Sequence, residues 1–295
     1  MSLNHIQPVY RPPSEANSLI LQITNGCSWN HCRFCDMYTE PQKKFNFKTF
    51  EQIENELMGI KQSGQLFRRI FLADGDAMTL SFRRLHKTLL LIKKYLPNIQ
   101  RVSSYCLPRN IKNKSVQQLT ELNNLGLKLL YIGCESGDNQ ILKYIDKGET
   151  LESSLNSLLK IKQSGIKSSI MILNGLGGIN FSAQHAENSA ILMNQVQPDY
   201  LSTLVVTFPF GMERFAAGFN GQFIPADQIT LFTEMKILLN NMELDKTIFR
   251  SDHASNYLIL KGVLNQDKKV LLSKINKAIK QPELVELREE WQRGL

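Results

Sequence analysis

The sequence has no long apolar run and few cysteines. No apolar stretch approaches the roughly 20 residues that span a bilayer, which argues against an integral membrane protein. The opening residues Met-Ser-Leu-Asn-His lack the charged-then-apolar pattern of a secretion signal. We therefore expect a cytoplasmic location, where the five cysteines would bind metal as thiolates rather than form disulfides.

Low-complexity stretches and blocks of like charge are also missing. The net charge is +8, so a basic surface could meet nucleic acid or an acidic electron-transfer partner. The lysine pairs Lys43-Lys44 and Lys268-Lys269 are interpreted as solvated faces. With 295 residues and 42% hydrophobic content, the chain can bury the core of one large α/β domain.

Short apolar runs alternate with helical patterns along the first 210 or so residues. Repeated strand–helix units predict parallel strands with right-handed crossovers. The six predicted strands are Leu19–Asn25, Arg69–Ala73, Val102–Cys106, Leu129–Gly133, Ser169–Leu173 and Tyr200–Val206. We predict an α/β fold, a partial (β/α)6 TIM-like barrel with a helical C-terminal extension. Residues 1–220 would form the barrel core with an N-terminal lead-in, and residues 221–295 an extension packing on it.

Polar or glycine-rich loops follow most of these predicted strands. In barrels of parallel strands, ligand groups lie at the carboxyl ends of the strands. The loops in question are Cys27–Cys35, Asp74–Asp76, Cys134–Gly137, Asn174–Gly178 and Thr207–Gly211. These loops together predict a ligand site at one end of the barrel.

Three cysteines fall within nine residues, Cys27-Ser-Trp-Asn-His-Cys32-Arg-Phe-Cys35. Thiolates this close are soft ligands suited to zinc, copper(I) or an iron–sulfur cluster. The spacing Cys-x4-Cys-x2-Cys matches plant-type [2Fe–2S] ferredoxins, but no fourth cysteine is well placed for that cluster. Zinc could use His31 as a fourth ligand, although His31 and Cys32 are adjacent in sequence, which makes it difficult for both to reach one ion. A [4Fe–4S] cluster held by three cysteines, with one iron open, is the third option.

At these residues the chain resembles the radical SAM superfamily over roughly residues 17 to 215. The family motif is Cys-x3-Cys-x2-Cys with an aromatic residue before the last cysteine, a place that Phe34 takes here. The first gap, between Cys27 and Cys32, is one residue longer in this chain than in the family motif. Ile132-Gly-Cys-Glu-Ser-Gly137 is similar to a stretch of the coproporphyrinogen dehydrogenase and Elongator-type branch. The turn Phe208-Pro-Phe-Gly211 resembles one in the same branch.

The resemblance implies a site for S-adenosylmethionine. Asp74, Gly75 and Asp76 stand where the family carries a Gly-Gly-Glu-like stretch that binds the amino group of the methionine moiety. Glu135 would lie near the ribose, and Asn174-Gly175 would contact adenine through backbone groups. Cys27, Cys32 and Cys35 would hold a [4Fe–4S] cluster.

The activity implied is reductive cleavage of S-adenosylmethionine to a 5′-deoxyadenosyl radical, which abstracts hydrogen from a substrate. A flavodoxin- or ferredoxin-type protein would supply the electron. The sequence leaves the substrate open: a single compact domain favours a small molecule or tetrapyrrole, and the +8 charge would suit RNA. Cys106 and His253 are weak candidates for a catalytic role, Cys106 as a hydrogen-atom donor.

Two other functions stay open at this point. One is a zinc-stabilised, non-catalytic nucleic-acid-binding protein, which iron quantitation would distinguish from the enzyme. The other is a plain iron–sulfur electron-transfer protein, which would not bind S-adenosylmethionine.

Overall fold

Strands and helices alternate along most of the chain. The computed structural model describes residues 5–294. The strands are β1 Leu19–Gln22, β2 Thr24–Asn25, β3 Asn46–Phe47, β4 Arg69–Ala73, β5 Arg101–Cys106, β6 Leu127–Glu135, β7 Lys167–Asn174, β8 Tyr200–Val205, β9 Ile248–Ser251 and β10 Leu260–Val263. The helices are α1 Phe50–Gln62, α2 Phe82–Tyr95, α3 Val116–Asn124, α4 Asn139–Tyr144, α5 Leu151–Gln163, α6 Ser182–Val196, α7 Glu213–Ala216, α8 Gln228–Asn241 and α9 Leu264–Lys280. All six predicted strands are present, with shifts of at most three residues at their ends.

The C-terminal part departs from the purely helical pattern. Helices α8 and α9 are present, but β9 and β10 lie between them as an antiparallel pair. Strand β9 lies where the sequence predicts only a helical extension. It is only four residues long, with Phe249 buried and Arg250 exposed, so its alternation was hidden by the polar residues after it. The boundary at residue 220 stays a prediction.

The described residues divide into two compact units. The first unit contains residues 5–30, 35–132 and 157–168. Its strands β1, β4, β5 and β6 follow one another in that order and pair in parallel. Strand β4 is apolar and almost entirely buried, as expected of a parallel strand covered on both faces. The small antiparallel pair of β2 with β3 lies next to the cysteine loop in the chain.

The second unit contains residues 31–34, 133–156 and 169–294. Here β7, β8 and β9 pair in parallel, and β10 closes the series antiparallel to β9. An aromatic core packs under these strands around the buried rings of Phe215 and Phe219. The ring centroids of these two residues are 5.1 Å apart, within the range of favourable aromatic pairs.

Local sequence fixes the start of several helices. Thr49 caps α1 by accepting from the backbone N–H of Gln52, whose side chain bonds back to the Thr49 N–H. Ser81 caps α2 by accepting from the N–H of Arg84, and Ser115 caps α3 in the same way as Thr49 caps α1. Such caps satisfy donors that the first helical turn leaves open.

Among residues 5–294, no helix combines the length and apolarity needed to cross a membrane.

Candidate functional site

The cysteine loop begins at a backbone position that only glycine fits. Gly26 has φ +69°, and a β-carbon there would lie 1.9 Å from the carbonyl oxygen of Lys43. No side chain tolerates that distance, so the turn from β2 into Cys27 requires glycine. Cys27, Cys32 and Cys35 are all partly exposed.

A buried ion pair in the first unit holds this turn. Asp74, directly after β4, is fully buried and pairs with the Lys43 ammonium, which is also buried. The same carboxylate oxygen accepts from the N–H of Gly26 at 3.3 Å, and the Lys43 ammonium donates to the Ile6 carbonyl at 2.9 Å. The interpretation of Lys43-Lys44 as a solvated face is therefore wrong for Lys43, while Lys44 is exposed. The sequence shows the charge of Lys43 but cannot show that this residue pairs with the buried carboxylate of Asp74.

Asp76 fixes the residue that follows the first cysteine. Its carboxylate accepts from the Ser28 N–H at 3.0 Å, from the Ser28 hydroxyl and from the Asn110 amide at 3.3 Å. Burial raises the pKa of Asp76, although the Ser28 and Asn110 hydrogen bonds and the Arg109 charge oppose this rise. Gly75 lies between the two aspartates, and a β-carbon there would be 2.7 Å from the Gly26 carbonyl oxygen. Asp74, Gly75 and Asp76 thus all lie against the start of the cysteine loop.

Glu135 has an unsatisfied carboxylate oxygen in the second unit. It ends β6 with φ +64°, an uncommon conformation for a residue other than glycine. Its Oε1 accepts from the Lys147 ammonium at 2.9 Å, while its Oε2 is buried and has no hydrogen-bond partner among the described residues. Burial disfavours charge on Lys147, but the Glu135 carboxylate and the Cys32 thiolate outweigh it, so the pKa of Lys147 is raised. The Phe34 ring lies 5.7 Å from the Lys147 ammonium.

Asn174 and Gly175 are organised by a glutamate on α8. Glu234 is 2% exposed and accepts, through one oxygen, from the Asn174 amide and the Gly175 N–H, each at 2.6 Å. Its other oxygen accepts from the Ser182 hydroxyl at 2.8 Å. This carboxylate fixes the turn after β7 through charge-assisted hydrogen bonds.

The weak catalytic candidates lie in other local contacts. The Cys106 thiol is buried at the end of β5 and donates to the Leu107 carbonyl at 3.3 Å. His253 lies in the turn after β9, where its Nδ1 accepts from the Ser255 N–H at 3.1 Å. The Arg288 guanidinium donates to the His253 carbonyl across the same turn. These contacts describe a turn-stabilising histidine, and a catalytic role for either residue stays a prediction.

Sequence reasoning missed Lys43, Lys147 and Glu234 as organising residues. Glu234 gave one usable signal, because it is an acidic residue within the otherwise largely apolar helix α8. Lys43 and Lys147 have polar neighbours in the sequence and gave no such signal. The structure identifies their partners, which are Asp74 for Lys43, Glu135 for Lys147 and Asn174 for Glu234.

The donor set of the cysteine loop fits an iron–sulfur cluster. Three partly exposed thiols lie on nine residues whose first turn is fixed by Asp74 and Asp76. No group of three His, Cys, Asp or Glu side chains within residues 5–294 could hold a single metal ion. A cluster takes one thiolate per iron, whereas a zinc ion needs all of its sulfur ligands within about 2.3 Å.

The chain belongs to the radical SAM superfamily, which it matches over residues 21–187, more than half of its length. Members of this superfamily are enzymes that bind a [4Fe–4S] cluster and S-adenosylmethionine. The family membership and the cofactor pair predicted from the sequence are thereby confirmed.

Individual relatives are distant. A putative methylthiotransferase of Methanocaldococcus jannaschii is 23% identical over 56% of this chain and 38% of its own length. The tRNA uridine(34) acetyltransferase of Methanocaldococcus infernus is 24% identical over 42% of this chain and 24% of its own. The chain thus spans well under half of either relative.

A solved structure supports the fold. Coproporphyrinogen III oxidase from Escherichia coli, a radical SAM enzyme, aligns with a TM-score of 0.57 and 15% identity, over 76% of this chain and 52% of its own. This similarity and the family match confirm the predicted fold class, an α/β fold of the partial TIM-barrel type.

The Lys43–Asp74 pair generates a stability prediction. Lys43→Met leaves the Asp74 carboxylate buried without its cation, and removing one partner of a buried pair costs about 3–5 kcal/mol. The adjacent exposed lysine provides the control, because Lys44→Met should change the free energy of unfolding by less than about 0.5 kcal/mol. Urea denaturation measures both variants. Equal stabilities would contradict the structural role of the pair.

His253 generates a prediction about pH. Burial, aided by the Arg288 charge and opposed by Asp252, lowers the pKa of His253 below 6.5. A lowered pKa in the folded state means that its stabilisation is complete above pH 6.5 and is lost as the pH falls through the folded-state value. Replacement by Gln removes this titration, so the melting temperature of His253→Gln should fall less steeply below pH 6.5 than that of the wild type. Parallel curves for the two proteins would refute this expectation.

Proposed function

We propose that this chain is an enzyme that reductively cleaves S-adenosylmethionine to a 5′-deoxyadenosyl radical, which abstracts hydrogen from a substrate. The observation that carries the proposal is the cysteine triplet, which falls inside the region matching the radical SAM superfamily. An electron donor of the flavodoxin or ferredoxin type and a cytoplasmic location belong to the same proposal.

Cys27, Cys32 and Cys35 would hold the [4Fe–4S] cluster through their thiolates. When bound, the cluster and S-adenosylmethionine together supply the one-electron chemistry, and the protein supplies orientation and shelter from water. Gly26, held by Asp74, and Ser28, held by Asp76, fix the backbone on either side of Cys27. This support restricts the motion of one ligand before any metal binds.

The residues proposed to bind S-adenosylmethionine offer it different chemical groups. Glu135 Oε2 is a buried acceptor without a partner among residues 5–294, which suits a hydroxyl donor such as those of ribose. Asp76 offers a carboxylate to the cofactor's amino group, and Asp74 and Gly75 shape the backbone beside it. The turn at Asn174 and Gly175 would meet adenine, with its conformation fixed by Glu234. Phe34 would contribute an apolar face.

A small molecule or tetrapyrrole is the favoured substrate. The fold resembles that of coproporphyrinogen III oxidase, although at 15% identity this similarity concerns the fold alone. RNA is the alternative, in line with the net charge of +8 and with the name of one relative, a tRNA uridine(34) acetyltransferase.

The first test concerns the cluster. Wild-type protein reconstituted anaerobically with iron and sulfide should bind about four irons, and with dithionite and S-adenosylmethionine it should form 5′-deoxyadenosine. Replacing Cys27, Cys32 and Cys35 together by Ala should abolish both, because no thiolate remains to hold iron. Cys134→Ala removes a buried thiol elsewhere and should retain both. Stoichiometric zinc without iron in the wild type would contradict the proposal.

The second test separates cofactor binding from cluster assembly. Asp76→Asn and Glu135→Gln keep side-chain size but remove charge, so iron content should be unchanged. A charge-assisted hydrogen bond contributes about 1.5–3 kcal/mol, so affinity for S-adenosylmethionine should fall about 10- to 100-fold. Glu152→Gln, which neutralises an exposed carboxylate on α5, is the control. Calorimetric titration measures the affinities. Unchanged affinities for Asp76→Asn and Glu135→Gln would contradict the proposal that these residues bind S-adenosylmethionine.

A further inference from the structure

The first unit contains a cavity of about 750 Å³ with a basic wall. Three cationic residues line it, Arg83, Arg109 and Lys114, together with amides and hydroxyls. No acidic residue is among the lining groups in the described part of the chain. Cavities of roughly 300–1,000 Å³ are the size that binds small molecules. The sequence gave no indication of this cavity, because its lining comes from two stretches of chain, residues 79–83 and 109–118, that are separate in sequence.

The cavity lies at the N-termini of two helices. Ser81, Phe82 and Arg83 begin α2, which has 14 residues, and Gln118 lies in the first turn of α3, which has nine. Helix N-termini carry a partial positive charge and present backbone N–H groups, so they attract anions. Here two of them add to the charge of the three cations.

Lys114 is a buried cation that lacks an anionic partner. Its side chain lines the cavity, and the residue is only 5% exposed. The ammonium donates to the carbonyls of Met78 at 2.8 Å and Asn110 at 2.7 Å, and no carboxylate pairs with it within residues 5–294. A buried charge compensated only by dipoles is costly. An anion in the cavity would lower this cost.

The wall of the cavity continues to the cysteine loop. The Arg109 guanidinium lies 3.7 Å from the ring centroid of Trp29, two residues after Cys27. The neighbouring Asn110 donates to the Asp76 carboxylate, which in turn holds Ser28. Both contacts lie within the first unit, so a ligand in the cavity would be anchored close to the start of the loop.

We propose that this cavity binds the phosphate group of a small phosphate ester. Phosphate carries nearly two negative charges and three strong acceptor oxygens, which suits two guanidinium groups, an ammonium and two helix N-termini better than a single carboxylate does. The ester is then a phosphorylated substrate of the proposed radical SAM reaction, a role that rests on the proposed function. The size of the cavity favours a small molecule over RNA.

Calorimetric titration of the reconstituted protein, residues 1–295, with ribose 5-phosphate tests the proposal. Ribose lacks the phosphate and should bind at least 10-fold more weakly. Arg83 is exposed and forms no ion pair among the described residues, so Arg83→Gln should leave the fold intact and weaken ribose 5-phosphate binding about 10-fold. Lys93→Gln removes an equal charge at the other end of α2 and should change affinity less than twofold. Melting temperatures of both variants verify folding.

Several outcomes would overturn the phosphate site. These are equal binding of ribose and ribose 5-phosphate, equal effects of Arg83→Gln and Lys93→Gln, and binding of a 12-nucleotide single-stranded RNA with none of ribose 5-phosphate. Iron content and 5′-deoxyadenosine yield are measured on the same samples. Specific ribose 5-phosphate binding without any 5′-deoxyadenosine would support the phosphate site while overturning the proposed function.

Discussion

The buried pair of Lys43 and Asp74 is the constraint on which the start of the cysteine loop depends. Burying two charges costs several kcal/mol per ion, and this pair offsets part of that cost through its contact and through hydrogen bonds to Gly26 and Ile6. Replacing both residues with apolar ones could make the protein equally stable. It would, however, remove the acceptor that holds the Gly26 N–H, and with it the geometry that precedes Cys27. The pair therefore serves to specify one backbone conformation at that turn.

The second unit uses buried carboxylates in the same way. Glu135 stands at the end of β6 in an uncommon backbone conformation, with one oxygen bound to Lys147 and the other without a partner among the described residues. Glu234 accepts from Asn174 and Gly175 through one oxygen and from Ser182, the first residue of α6, through the other. The difference matters chemically. A buried carboxylate oxygen without a partner among residues 5–294, such as Glu135 Oε2, is available to a ligand that brings a hydrogen-bond donor.

The sequence predicts what is local and fails where partners are distant. The six strands were recognisable because most are compact apolar runs that alternate with helical patterns, and the cysteine triplet because its spacing is itself the signal. Strands β9 and β10 were missed because four residues are too few to show alternation. The partner of Lys43 is 31 residues away and that of Glu234 is 60 residues away, so the sequence could not identify either pairing. The motif stayed recognisable despite the extra residue between Cys27 and Cys32, because the Cys-x2-Cys spacing and the aromatic Phe34 are kept.

Net charge and local charge have different consequences for what this protein can bind. The +8 of the whole chain attracts anions of every kind, and salt screens it beyond about 8 Å at physiological ionic strength. It therefore cannot distinguish RNA from a small phosphate ester. The basic cavity differs because Lys114 is buried and held by two carbonyls, so its charge is fixed in place and poorly screened. Specificity for an anionic ligand has to come from such fixed charges, since only they impose a distance and a direction on the group they bind.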